Sequence, residues 1–136
     1  MLTGGLDPSD LSSSVLYPGG CSVPSMESGR SGHVTFLTQD SPPRITICGG
    51  HSDGGYKKDC LVLRKDGWSG GELDDLPDQR YVSASARLDA GVFILGGYNE
   101  RSSSVFLRAN SRSWVQGPQL PVAMKWGPCA APISAH

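Results

Sequence analysis

Residues 92–97 read VFILGG, a run of four apolar residues that ends at a pair of glycines. A short apolar run that stops at glycine is typical of a buried strand. Residues 45–50, ITICGG, have the same arrangement, and residues 2–5, LTGG, keep a trace of it. The first glycines of these pairs stand at positions 4, 49 and 96, which gives intervals of 45 and 47 residues. This period predicts a chain built from repeated supersecondary units.

Two further landmarks recur in phase with the glycine pairs. Trp68 and Trp114 are 46 residues apart, and the Leu-Pro dipeptides at 76–77 and 120–121 are 44 residues apart. The order Arg-x-x-His, apolar strand, Gly-Gly, apolar strand, Trp and Leu-Pro resembles the Kelch repeat. The resemblance covers nearly the whole chain. It implies an all-β fold of Kelch-type β-propeller blades, each a four-stranded antiparallel sheet, and it leaves the activity undetermined.

The resemblance also implies where the blades begin and end. The motif Arg30-Ser31-Gly32-His33 opens the first complete copy, and Arg80 opens the second. We expect the end of one blade in 1–29, complete blades in 30–77 and 78–121, and the start of a further blade in 122–136. Propellers contain about four to eight blades, so 136 residues predict an incomplete ring. The opening motif is degraded in 122–126, and Cys21 stands where a Trp is expected.

The same landmarks predict individual strands. The predicted strands of the first blade are 33–37, 44–48, 60–63 and one around Trp68, and those of the second are 81–87, 92–95, 104–107 and 114–116. In the partial blade that precedes them, the strands are predicted in 1–5, 13–17 and 21–23. One more strand is predicted in 122–134. Residues 51–59 are predicted to be a polar surface loop.

The bulk composition narrows the class of protein. The net charge is −1 with both signs dispersed, which gives no electrostatic footprint for nucleic acid or an anionic membrane. No apolar run approaches membrane-spanning length, and no signal peptide is visible. We therefore expect a cytoplasmic protein, or a secreted one if its cysteines form a disulfide.

Two cysteines flank the 51–59 loop. A hairpin would place Cys48 opposite Cys60, so a disulfide is one interpretation. The repeat alignment puts them in the slots of Leu95 and Val105, which favours buried free thiols, because cysteine often fills apolar sites. With His51 they offer three zinc ligands, whereas structural zinc sites use four. No metal site or cofactor is therefore predicted.

The loops after the glycine pairs are the best candidates for binding a partner. In Kelch proteins the analogous loops line a face that binds partners, and exposed Tyr and Arg are typical interface anchors. Arg80 and Arg30 open the innermost strands, and for both a structural role and a ligand contact stay open. His33 is predicted to be structural. The predicted binding residues are His51, Asp53, Tyr56, Arg80, Tyr98, Asn99 and Arg101, with Lys57, Lys58 and Glu100 beside them.

We expect a protein-interaction module that presents these loops to another protein. If a BTB domain stood in the same protein, the resemblance would imply a substrate adaptor of a ubiquitin ligase. No nucleophile elbow, phosphate loop or HExxH motif is present, so no enzyme is predicted. The alternatives are a fragment of a galactose oxidase-like propeller, whose copper ligands cannot be matched here, and a truncated product without independent function. Open blade faces near Val105, Leu107 and Ile133 are expected to drive self-association.

Overall fold

The computed structural model describes residues 24–124 and, before them, three short strands within residues 1–23. The described residues form strands and turns, and none of them lies in a helix. The strands are β1 Leu2–Thr3, β2 Ser14–Leu16, β3 Cys21–Ser22, β4 Val34–Leu37, β5 Ile45–Cys48, β6 His51–Ser52, β7 Gly55–Tyr56, β8 Cys60–Arg64, β9 Gly67–Gly70, β10 Ala84–Leu88, β11 Gly91–Leu95, β12 Ser104–Arg108 and β13 Trp114–Gln116.

The strands pair into antiparallel sheets whose order follows the chain. The first four-stranded sheet has the order β4-β5-β8-β9, the second β10-β11-β12-β13, and the N-terminal sheet β1-β2-β3. The all-β prediction is therefore confirmed, with a glycine pair directly after the second strand of each four-stranded sheet. The strands predicted in 1–5, 13–17 and 21–23 are also confirmed, whereas the one predicted in 122–134 lies outside the described residues beyond 124.

The hydrophobic core lies between the two four-stranded sheets. Its members come from the facing sides of both sheets and from the segment that connects them: Val34, Phe36, Cys48, Cys60, Val62, Leu73, Leu76, Val92, Ile94, Val105, Leu107 and Trp114. The expectation that Val105 and Leu107 belong to an open face is wrong, because they are 0% and 4% exposed. Since successive side chains of a strand alternate between faces, Phe106, which lies between them, faces away from this core. Ile133 lies outside the described residues.

Trp114 joins the second sheet to the first. Its ring meets that of Phe36 edge-on, with centroids 6.0 Å apart, and its Nε1–H donates to the carbonyl of Asp74 at 3.1 Å. Trp68 makes the equivalent bond to the carbonyl of Pro24 at 2.8 Å. The recurring tryptophan therefore fastens the fourth strand of a sheet to the segment that precedes that sheet, and its large apolar body explains why the landmark recurs.

The glycine pairs allow close approach between backbones. Gly50 and Gly97 have φ values of 96° and 114°. A Cβ on Gly50 would lie 2.7 Å from the carbonyl oxygen of Ser31, and one on Gly97 would lie 2.9 Å from that of Tyr81. No side chain fits at such distances, so glycine is required at the second position of both pairs.

The same glycines also contact the next repeat. The Gly50 N–H donates to the carbonyl of Arg80 at 2.7 Å, and the Gly97 N–H donates to that of Met124 at 3.1 Å. Met124, within the degraded motif over 122–126, therefore contacts the glycine pair of the second copy in the way that Arg80 contacts the glycine pair of the first.

Candidate functional site

The loops that follow β5 and β11 lie at the same edge of the two packed sheets. The first of them is more ordered than the sequence predicts, because β6 and β7 pair within it as a hairpin, His51 opposite Tyr56 and Ser52 opposite Gly55. His51 also forms a bridge with Ser31, which leads into the first sheet. The hairpin strands are two residues long, too short to show a periodic pattern in the sequence.

Four aromatic rings meet at this edge. The ring centroid of His51 lies 5.1 Å from that of Tyr56 and 6.0 Å from that of Tyr81. Tyr56 lies 5.7 Å from Tyr81 and 6.3 Å from Tyr98. We call His51, Tyr56, Tyr81 and Tyr98 the aromatic patch. His51 is exposed and the three tyrosines are half-buried, so the patch is accessible from solvent.

Tyr81 was not predicted as a binding residue. The sequence places it in a strand over 81–87, but β10 begins at Ala84 and Tyr81 lies before it. Its ring packs over Gly32, where an added Cβ would lie 2.3 Å from Tyr81 Cε2. Its carbonyl accepts the N–H of Tyr98 at 2.8 Å, which fixes one ring of the patch relative to another. The one available signal was the position of Tyr81 beside Arg80 in the repeat motif.

The prediction of free thiols at Cys48 and Cys60 is wrong, because a disulfide joins them. The register of β5 and β8 places the two residues directly opposite each other, with Cα atoms 4.2 Å apart. Both are 1% exposed and belong to the core between the sheets. The repeat alignment that favoured free thiols was also wrong by one residue at Cys60. The equivalent of Cys60 is Ser104 rather than Val105, because Leu95, the equivalent of Cys48, pairs with Ser104.

Arg30 and Arg80 are buried below the two loops, and each donates hydrogen bonds to residues at both ends of its loop. Arg30 is 2% exposed, forms a bidentate pair with Asp59 at 3.1 and 2.9 Å, and donates to the carbonyl of Gly49. Arg80 is 1% exposed and donates to the carbonyl of Gly96 at 3.0 Å and to Ser103 Oγ at 2.6 Å. The two arginines occupy equivalent positions.

Within residues 24–124, Arg30 has a carboxylate partner and Arg80 has none. Among the described residues no carboxylate lies within ion-pair distance of Arg80. Burial therefore lowers the pKa of Arg80, and Glu100 and Asp78 partly oppose that shift. Such a buried guanidinium offers no exposed donor beside the patch.

His33 lies at the start of the first sheet, directly before β4. Burial lowers its pKa to about 4, with a further contribution from the charge of Arg30. The imidazole is therefore neutral at physiological pH.

Two surface clefts lie beside the patch and contain most of the other predicted residues. Asp53 lines the first cleft with Glu27 and Lys57. Asn99 and Glu100 line the second with Lys58, Asp78 and Gln79. Arg101 is exposed, and its carbonyl accepts the N–H of Met124 at 2.6 Å. The structure thus surrounds the patch with a polar rim that carries both signs of charge.

The opposite edge of the sheets has a different chemistry. There Arg44 pairs with Asp40 and Glu72, and Arg64 also pairs with Glu72. The hydrogen bond from Arg64 lowers the pKa of Glu72, and the one from Arg44 lowers that of Asp40. A cavity of about 210 Å³ beside this network is lined by Leu73, Val92 and Leu107 at its apolar side. The aromatic patch lies at the loop edge instead.

Within the described part of the chain, no three His, Cys, Asp or Glu side chains lie close enough together to hold a metal ion. The described residues also contain no helix that is long and apolar enough to cross a bilayer. No protein-family model matches the sequence, and no curated protein matches it significantly.

Proposed function

We propose that this chain is a protein-interaction module of the Kelch-repeat type and that it binds its partner through the aromatic patch. The observation that carries the proposal is the meeting of four rings from three separate segments at one exposed edge. Tyrosines with a polar rim are typical of the centres of protein interfaces, because they combine a large apolar area with a hydrogen-bonding end.

The equivalence of the two copies supports the Kelch-type architecture. The N–H of Leu76 donates to the carbonyl of Lys58 at 2.8 Å, and that of Leu120 donates to the carbonyl of Ser102 at 2.7 Å. The Leu-Pro landmark therefore plays the same role twice, at the base of the partner-facing loop. A module of this design binds by surface complementarity and needs no catalytic group, so Arg80 acts in this proposal as a support of the loop.

The buried disulfide favours an oxidising compartment for this module, since cytosolic proteins rarely retain structural disulfides. Mass spectrometry of the chain from its native source, alkylated before reduction, tests this part of the proposal. We expect the segments that contain Cys48 and Cys60 to remain linked. Alkylation of both thiols without reduction would place the protein in a reducing compartment.

The experiment that tests the function is a quantitative co-purification from the native source. It compares the wild-type chain, the double variant Tyr56→Ala/Tyr98→Ala, and the control Lys65→Ala. Lys65 is exposed in the turn between β8 and β9, at the edge opposite the patch. Truncation of a hot-spot tyrosine costs about 2 kcal/mol or more of binding free energy, so we expect the double variant to lose its partner and the control to retain it. Identical partners for all three proteins would contradict the proposal.

A further inference from the structure

We infer that the Cys48–Cys60 disulfide is a positioning element of the aromatic patch: it holds in place the hairpin that carries two of the four rings. This inference rests on the proposed function of the patch and adds how its geometry is maintained. The disulfide closes a loop of sequence separation 12 that contains β6 and β7. His51 and Tyr56 project from that hairpin, while Tyr81 and Tyr98 belong to the second copy.

The ends of the loop are held together at three adjacent levels. The disulfide links Cys48 to Cys60 within the core. One residue further out, the N–H of Gly49 donates to the carbonyl of Asp59 at 3.1 Å, and Arg30 binds both of those residues. At the next level the N–H of Lys57 donates to the carbonyl of Gly50 at 2.8 Å. The disulfide is the innermost of these three levels, and the two polar levels lie successively further from the core.

The second copy provides an internal comparison. Its equivalent pair is Leu95 and Ser104, nine positions apart rather than twelve, and no disulfide joins them. Arg80 and the bond from the Gly96 N–H to the carbonyl of Ser103, at 2.9 Å, hold the base of that shorter loop. The first loop therefore differs from the second in having three more residues to order and a covalent restraint at its base.

Reduction of the disulfide by a dithiol is the step that would release the hairpin. The dithiol transfers two electrons and two protons, so that Cys48 and Cys60 become thiols and the dithiol becomes a cyclic disulfide. Hydrogen bonds then hold the loop: the two polar levels, the bridge between His51 and Ser31, and the bond from the Gly50 N–H to the carbonyl of Arg80. We expect the hairpin to open locally, so that His51 and Tyr56 lose their fixed distances to Tyr81, while the second sheet stays folded.

Amide hydrogen exchange tests this inference in the variant Cys48→Leu/Cys60→Ser, which gives the first copy the residues of the second. The expected result is local: exchange at Lys57 accelerates by about tenfold or more, while Ile94 and Val105 change by less than about threefold. Ring-to-ring nuclear Overhauser effects between His51 and Tyr81 should weaken in the same sample. Equal acceleration at all three amides, or no acceleration at Lys57, would overturn the inference.

A second variant distinguishes a loss of hairpin positioning from a failure of the first variant to fold. Cys48→Val/Cys60→Val keeps an apolar pair at the two buried positions. If this variant folds, it should show the same selective loss of protection at Lys57. If both variants fail to fold, the disulfide is needed for the whole molecule and the selective positioning role is wrong. Since exchange requires no partner, a failure here is separate from a failure of the co-purification experiment.

Discussion

Val82 has a φ of 56°, in the left-handed region that a β-branched residue rarely adopts. Its counterpart in the first copy is Gly32, whose φ of 62° is nearly the same. The second residue after the arginine of each motif thus has a left-handed backbone in both copies. The N–H of Val82 donates to the carbonyl of Gly32 at 2.8 Å. Val82 directly follows Tyr81 in the chain, so its backbone strain lies next to the aromatic patch.

We predict that Val82→Gly raises the free energy of unfolding by about 1 kcal/mol. The relief of left-handed strain, about 1–3 kcal/mol, exceeds the entropic cost of glycine, about 0.5–1 kcal/mol. Urea denaturation measures the change. The matched variant Gly32→Val should destabilise, because its side chain would meet the ring of Tyr81. A loss of stability in Val82→Gly would contradict the assignment of strain.

His33 makes stability depend on pH. Its pKa is about 4 in the folded protein and 6.5 when unperturbed. Between these values the unfolded chain binds more protons than the folded one. Stability from this residue is therefore complete above about pH 6.5 and is lost as the pH falls toward 4, by at most about 3 kcal/mol.

The variant His33→Gln isolates this contribution. Denaturation curves between pH 7 and pH 4 should show a smaller loss of stability for the variant than for the wild type. The lowered pKa values of Asp40 and Glu72 add a loss at lower pH that both proteins share. Parallel curves for the two proteins would show that His33 is not buried as a neutral imidazole.

At the scale of single elements, each tryptophan of a fourth strand anchors its sheet. We predict that Trp114→Ala costs about 3–5 kcal/mol of stability, because it removes the contact with Phe36 and leaves a void between the sheets. Trp68→Ala should cost less, since Trp68 is only half-buried among the described residues. Equilibrium denaturation compares them. A loss below about 1 kcal/mol for Trp114→Ala would mean that the ring does not hold the sheets together.

The elements also show which parts of the structure a sequence can predict. Glycine pairs, tryptophans and apolar runs are local or periodic signals, and they located β5, β11 and β13 correctly. The disulfide depends on the register between β5 and β8, which a shift of one residue in the alignment obscured. The aromatic patch depends on packing between the two copies, so the candidates His51, Tyr56 and Tyr98 were found one by one and Tyr81 was missed.

For the whole molecule, the outer face of the second sheet carries a group of apolar side chains that solvent reaches in part. Phe93 and Phe106 stack there with centroids 4.4 Å apart, and Val115 beside them is 44% exposed. This face, rather than one around Val105 and Leu107, supports the expectation of self-association. Exposed apolar sheet faces favour association because they remove apolar area from water.

We predict that the average mass from light scattering rises with concentration in a dilution series of the chain. The variant Phe106→Glu should reduce this rise, because it places a charge at the centre of the outer face. The control Lys65→Ala should leave it unchanged. A single monomeric mass at every concentration would show that this face does not drive association.

Site-specific photo-crosslinking shows whether the aromatic patch contacts the partner. A benzophenone amino acid replaces Tyr56 within the patch or, as a control, Lys65 at the opposite edge. The chain is then irradiated in its native cells. We expect a discrete crosslinked protein from position 56 and none from position 65. Crosslinks of equal yield from both positions, or from position 65 alone, would contradict the proposed contact.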